Sequence, residues 1–328
     1  MKQPHKFRNL PLIPKVAIAH LPTAIEPMPR LTAALKGPEL WIKRDDQTGL
    51  AMGGNKTRML ERFLADAQQK QARSLITRGS LVSNHCRQTA AVAAKFGLKC
   101  ILVIKGFPPR IRQGNLFLNQ LMAAQIVFTE GRCPDKVLLE TFEDAQKMGL
   151  NPYLIAYGGA HGLGSSAYCD AVQELNNQGG NYDIIIVPTS SGATQAGLIF
   201  GSWFYGLNTQ IYGISVDESS AYLTDKILSL LENLQTLYQL DNLPDRSLIM
   251  VNDDYLGDGY AAIGDREREA IHLFAQYEGI LLDPVYTARA AGGLIDLIRT
   301  GKIKSQEKVV FWHTGGLPSL FEMAESLQ

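Results

Sequence analysis

The stretch IIIVPTSSGATQAGLIFG, residues 184–201, runs from an apolar segment through a loop of small residues into a helical pattern. Ile184–Val187 are apolar at every position rather than at alternate ones. That suits a strand covered on both faces, as parallel strands are between layers of helices. The loop then offers several backbone N–H groups at the positive end of a helix, which is the make-up of a phosphate cradle. No Gly-Lys-Ser/Thr follows, so it is not a P-loop. Composition alone leaves phosphate binding and a tight turn equally open.

The same alternation extends in both directions. LWIKR (40–44), SLITR (74–78), CILVI (100–104), IVFT (126–129), YLIAY (153–157), IYGISV (211–216) and VVFWH (309–313) read as further strands. Between them lie amphipathic stretches such as TRMLERFLADAQQ, RQTAAVAAKFG and LFLNQLMAAQ. The pattern predicts an α/β fold with two open, mainly parallel sheets flanked by helices. Strand spacing is tight over 56–165, which predicts a small domain there and a large domain from 1–55 plus 166–328. The stretch 217–259 reads as one helical run, YLTDKILSLLENLQTLYQL, followed by acidic turn residues.

A chain of 328 residues with 45% hydrophobic and 20% charged residues can bury a core that shapes a deep pocket. Lys plus Arg and Asp plus Glu both number 32, which argues against nucleic-acid or anionic-membrane partners. Prolines interrupt the N-terminal MKQPHKFRNLPLIPKVAIAHLP, so it does not read as a signal peptide, and no apolar run would span a bilayer. Cys86, Cys100, Cys133 and Cys169 show no zinc-ligand spacing and read as free thiols of a cytoplasmic protein. No metal site is expected.

Three further strings place reactive groups at helix openings. In MGGNKTRMLERFLADA (52–67), Lys56 follows Gly53 and Gly54, which leave room for a large planar partner. A helix N-terminus disfavours a protonated amine and so favours a nucleophilic lysine. In isolation, GGNK reads as a solvated turn. Ser83 and Asn84 open the helix of SNHCRQTAAVAAKFG (83–97), where free N–H groups can grip a carboxylate and where plain N-capping serves equally. In VVFWHTGGLPSLF (309–321) a last strand ends at Thr314, Gly315 and Gly316, outside the carboxyl end where open α/β sheets bind ligands.

Other motifs fall away. GLGSSA (162–167) matches a dinucleotide fingerprint, but Asp183 precedes the next strand instead of ending it. It reads as a tight strand-to-helix turn, and a nicotinamide-dependent oxidoreductase rests on it alone. HExxH, G-x-S-x-G and EF-hand patterns are missing. His5, His20 and His272 read as surface or packing residues. The adjacent pairs Asp45–Asp46 and Asp253–Asp254 read as solvated or capping groups.

Taken together, KRDDQTGLAMGGNKTRMLE, SNHCRQTAAVAAK, ATQAGL, GILLDPVYTARAAGGLI and HTGGLPSLF resemble the fold-type II pyridoxal-phosphate enzymes. Within them, the chain resembles the D-cysteine desulfhydrase and 1-aminocyclopropane-1-carboxylate deaminase group, from about Pro22 to Leu320. The resemblance implies a tryptophan synthase β-like fold, pyridoxal 5′-phosphate as cofactor, a small amino-acid substrate and a homodimer. It implies that Lys56 holds the cofactor covalently and moves substrate protons, that Asn84 meets the 3′ oxygen of its ring and that Ser83 helps bind the substrate carboxylate. Ser191, Gly192, Ala193, Thr194 and Gln195 would hold the phosphate, Tyr260 and Tyr286 the substrate side, and Thr314 the pyridine nitrogen.

Departures from the pattern sharpen the expectation. The deaminases place Glu after the tyrosine of DPVY, where this chain has Thr287, and SNQ where it has SNH. A threonine hydroxyl cannot keep the pyridine nitrogen protonated as a carboxylate does. β-Elimination on D-cysteine is therefore expected, ahead of aminocyclopropane-carboxylate deamination, cysteate sulfo-lyase activity or racemisation. Lys56, Tyr260 and Tyr286 together speak against a non-catalytic cofactor-binding regulator. Val82 and Arg78, where the family carries Gln and a small residue, are expected to alter the neighbourhood of the substrate carboxylate.

Overall fold

The computed structural model describes residues 9–327, so His5 lies outside the described residues. Among the described residues, ten strands form two sheets. The larger takes β1 (Ile25–Pro27), β2 (Glu39–Lys43), β7 (Ile184–Thr189), β8 (Gln210–Ser215), β9 (Met250–Asn252) and β10 (Lys308–Trp312), in the order β1-β2-β10-β7-β8-β9. All its pairs are parallel except β1 with β2. The smaller sheet takes β3 (Ser74–Gly79), β4 (Lys99–Ile104), β5 (Gln125–Phe128) and β6 (Pro152–Leu154), all parallel, in the order β5-β4-β3-β6. The strand expected over 153–157 stops at Leu154. The edge strands β1 and β9 have no counterpart among the sequence-based expectations, because three residues are too few for a periodic signal.

The helices in chain order are α1 (Pro29–Leu35), α2 (Asn55–Gln69), α3 (Asn84–Lys95), α4 (Gly114–Leu121), α5 (Pro134–Lys147) and α6 (Gly162–Asn177). They continue as α7 (Ala193–Phe204), α8 (Ser220–Tyr238), α9 (Asp265–Glu278), α10 (Thr287–Arg299) and α11 (Leu317–Glu322). The central strands are apolar throughout because each serves two cores. Ile185, Val187, Val310 and Trp312 pack with α2, α6, α7 and α8 side chains on one face. Ile184, Ile186, Val309 and Phe311 pack with α9 and α10 on the other. GLGSSA is the first turns of α6 and not a strand-to-helix turn. A Cβ on Gly164 would lie 2.3 Å from Gly159 O, so that glycine serves close packing. No helix of the described residues is long and apolar enough to cross a membrane.

One acidic pair is neither solvated nor a plain cap. Asp45 is fully buried and accepts from Arg58 Nη2 at 2.8 Å, Tyr168 OH at 2.7 Å, Trp312 Nε1 at 2.9 Å and Thr23 Oγ1 at 3.0 Å. Arg58 also meets Glu174 at 2.9 Å, and Glu174 meets Lys43 at 2.6 Å. Burial alone would raise the Asp45 pKa, but the Arg58 charge and these donors hold it below the usual carboxylate range. Asp46 pairs with Arg44, and Asp253 accepts from Ser220 N at the opening of α8. Replacing Arg58 with Met leaves the buried Asp45 without its cation, while Glu174 keeps Lys43. The expected loss is about 3–5 kcal/mol in denaturant unfolding; a loss below about 1 kcal/mol, as for a surface pair, would refute the hub.

Candidate active site

Four strands of the two sheets end at one cleft. The turns after β3, β7 and β10 and the segment after β6 all open into it, as expected outside the carboxyl ends of parallel strands. Lys56, Ser83, Asn84, Ser191, Gly192, Thr194, Tyr286 and Thr314 line it together. Ala193 and Gln195 do not. The Gln195 side chain turns the other way, donating to Met250 O at 2.7 Å, so only its backbone is placed to serve the cleft.

Lys56 reaches its position through a turn that only glycine can make. Gly53 and Gly54 have φ of +65° and +127°. A Cβ would meet Asp46 O at 2.0 Å in the first case and Gln88 Nε2 at 2.4 Å in the second. The next residue is tied down twice, since Asn55 N donates to Thr314 O at 2.9 Å and Asn55 Nδ2 to Thr194 Oγ1 at 3.0 Å. Lys56 Nζ then donates to Gly158 O at 2.8 Å. Burial pushes its pKa down to about 8, and the charge of Lys226 adds to the effect.

Ser83 is both cap and wall: its Oγ accepts from Cys86 N at 3.2 Å while the residue borders the cleft. Beyond β7, Gly192 adopts a left-handed φ of +80° and α7 begins at Ala193. The N–H groups of Ala193, Thr194 and Gln195 fall in the first helical turn, where none has an intrahelical acceptor. Tyr260 stands behind the lining, its hydroxyl 2.7 Å from Tyr286 OH and 3.0 Å from Ser80 Oγ. Its loop is braced by the buried Arg289, which donates to Gly259 O and Ala262 O and pairs with Glu267. Burial raises the pKa of both tyrosines, so they are neutral hydroxyls at neutral pH.

Several lining residues escaped sequence reasoning. Tyr157 and Gly158 follow β6, and Gly158 O is the acceptor for both Lys56 Nζ and Ser191 Oγ. The signal was present in the small-residue run YGGA just past a strand end. Ser80, His85, Thr189 and Ser190 also line the cleft. Val82 and Arg78 do not: Arg78 pairs with Asp135 and stacks on the Tyr157 ring at 4.5 Å. The dinucleotide reading loses its ground, because Gly162 faces Asn233 on α8 and not the cleft.

A family model for pyridoxal-phosphate dependent enzymes matches residues 16–315. The chain belongs to this family. Its members bind pyridoxal 5′-phosphate, and the site fits that group. A buried amine of lowered pKa stands across from a helix opening whose free N–H groups suit a phosphate. This pyridoxal-phosphate enzyme is 38% identical over 324 residues to the D-cysteine desulfhydrase of Klebsiella pneumoniae (strain 342), covering 96% of this chain and 98% of that one. The crystal structure of an ACC deaminase homologue superposes with a TM-score of 0.90 at 34% identity, covering 96% and 95% of the two chains. The processed form of threonine deaminase isoform 2 from Solanum lycopersicum shares the fold, at TM-score 0.64 and 17% identity over 93% and 82%.

The lowered Lys56 pKa has a direct test. In the cofactor-free protein, pH-dependent reductive methylation of Lys56 is expected to show a midpoint near about 8, against about 10.4 for a free lysine. Lys226→Met removes a like charge and is expected to move that midpoint upward. No movement would assign the whole effect to burial.

Proposed function

We propose that this enzyme eliminates the β-substituent of a small amino acid, with D-cysteine as substrate and pyruvate, ammonia and sulfide as products, one water being consumed. The observation that carries the reading is the carboxylate-free setting of Thr314. Asp283 packs on the adjoining turn, where a Cβ on Gly316 would lie 2.4 Å from its Cγ. Both its oxygens are taken by the opening of α10: Oδ1 by Thr287 N and Oγ1, Oδ2 by Val285 N and Tyr286 N. Thr287 itself is buried and faces Asp283.

When bound, the cofactor supplies an electron sink for the substrate's α-carbon, weaker without a carboxylate opposite its ring nitrogen. A weaker sink favours prompt loss of a good leaving group over opening of a cyclopropane. Lys56 is the base that takes the α-proton, since its lowered pKa gives it an appreciable neutral fraction at near-neutral pH. Ser83 and the N–H groups at the opening of α3 receive the substrate carboxylate. Tyr286 stands as a neutral donor for the departing sulfur, with the Tyr260 hydroxyl behind it at 2.7 Å. The likeness to a D-cysteine desulfhydrase supports the choice of substrate. Arg78 is committed to Asp135, which weighs against an anionic substrate such as cysteate. The family resemblance also supports a homodimer working in the cytoplasm, and a small domain over 56–165.

Lys56→Ala is expected to abolish turnover and the visible absorption of lysine-bound cofactor while the far-UV spectrum stays native. A variant that keeps both would end the assignment. Thr194→Ala is expected to weaken cofactor retention more than it slows the saturated enzyme; the reverse order would move the phosphate elsewhere. Substrate choice is read from kcat/KM for D-cysteine and β-chloro-D-alanine against aminocyclopropane carboxylate. Pyruvate formation is expected to dominate. Faster 2-oxobutanoate formation would overturn the electronic argument.

A further inference from the structure

Arg87 lies on α3, one turn beyond Asn84, and is completely buried. Its partners are all neutral. Nη1 donates to Asn84 Oδ1 at 2.6 Å and to Asn115 Oδ1 at 2.5 Å, and Nη2 donates to Gly53 O at 2.8 Å. Among the described residues it makes no ion pair, and Asp283 acts on it only at longer range. A buried guanidinium without a carboxylate is costly, and a site that retains one has a use for its donors or its charge.

The use shows in the amide beside it. Asn84 Oδ1 accepts from Arg87 Nη1 and also from Asn115 Nδ2 at 3.0 Å, which fills both lone pairs. Rotating the amide by half a turn would set Nδ2 against two donors, so the orientation is fixed. Asn115 is itself held, with Nδ2 donating to Val82 O at 2.7 Å. The Nδ2 end of Asn84 meets no protein acceptor among the described residues, and the residue borders the cleft.

We propose that Arg87 and Asn115 are positioning residues that lock the Asn84 amide with its donor end toward the bound cofactor. This rests on the reading that places Asn84 opposite the 3′ oxygen of the ring. The donor and the nearby positive charge together favour the ionised form of that oxygen. Through Gly53 O the same guanidinium also holds the turn that presents Lys56, so the amine and the donor share one brace.

The test uses the cofactor-loaded protein. Asn115→Ala and Arg87→Gln are each made alone and in an Asn84→Ala background. Cofactor dissociation is measured, together with the pH midpoint of the visible absorption of the bound cofactor. Each single variant is expected to weaken retention on the order of tenfold and to move the midpoint upward, because the ring oxygen loses its oriented donor. In the Asn84→Ala background, Asn115→Ala is expected to change retention by less than about twofold and leave the midpoint in place. Arg87→Gln keeps a residual effect there through Gly53. Additive losses, or an unmoved midpoint in the Asn115→Ala single variant, would overturn the proposal. If Arg87→Gln does not fold, the Asn115→Ala pair decides alone. Wild-type protein that fails to hold the cofactor on Lys56 would refute the functional reading instead, a separate and visible result.

Discussion

The carboxylate of Asp45 is the constraint on which the rest of the molecule depends. It sits just past β2 and gathers donors from the N-terminal arm at Thr23, from α2 at Arg58, from α6 at Tyr168 and from the end of β10 at Trp312. Its consequence for the site follows from helix geometry. Arg58 comes two residues after Lys56, roughly 200° around the helix axis. Seating Arg58 on Asp45 and Glu174 therefore turns Lys56 to the opposite side, toward Gly158 and the cleft. A helix held only by apolar contacts could rotate by some tens of degrees at little cost. A guanidinium seated on a fully buried carboxylate cannot, because rotation would leave the Asp45 charge without its cation.

The electrostatics of the cleft run the other way from those of the hub. The hub balances cations with anions, whereas the residues that line the cleft include Lys56 and no carboxylate; Asp217 stands behind them, where Ser190 Oγ donates to it at 2.7 Å. Lys56, Lys226 and Arg87 stand near it, and the Asp283 carboxylate is turned into α10. Helix openings at α3 and α7 add further partial positive charge. Such a site is poorly matched to itself and well matched to a ligand carrying a phosphate and a carboxylate. Part of the cost of gathering these groups is offset only when that ligand binds, which links cofactor loading to stability.

Much of this was legible in the sequence, and the failures share a cause. The long strands announced themselves through continuous apolar runs, because each is covered on both sides. The glycines before Lys56 were legible as room for a ligand, but GGNK alone reads as a solvated turn, and only the resemblance of several strings together singled it out. Asp45 was misread because its neighbour Asp46 made the pair look like a polar turn. Nothing local marks a carboxylate whose partners lie 13, 123 and 267 residues away. Arg87 and Asn115 were invisible for the same reason, being ordinary polar residues on two different helices. Gln195 was credited with a contact because it sits in the right loop, yet helical rotation sends its side chain to β8 and β9.

His85 shows how far hydrogen-bond accounting can assign chemistry. The Thr77 hydroxyl donates its one proton to Ile155 O at 2.9 Å, so in its 3.0 Å contact with His85 Nε2 it must accept. The proton of the imidazole is therefore on Nε2, where it ties the opening of α3 to β3 and to the segment after β6. Burial pushes the pKa of this histidine down to about 3, and the nearby Lys56 charge acts in the same direction. It stays neutral throughout the range in which an enzyme works and has no proton to exchange. Burial raises the pKa of Tyr157 and Tyr286, so they too keep one state. Among the titratable side chains that line the cleft, this leaves Lys56, near about 8, as the group whose proton can come and go at ordinary pH. The resemblance to the pyridoxal-phosphate enzymes pointed to that lysine; the fold points to it again by fixing the protonation of the groups around it.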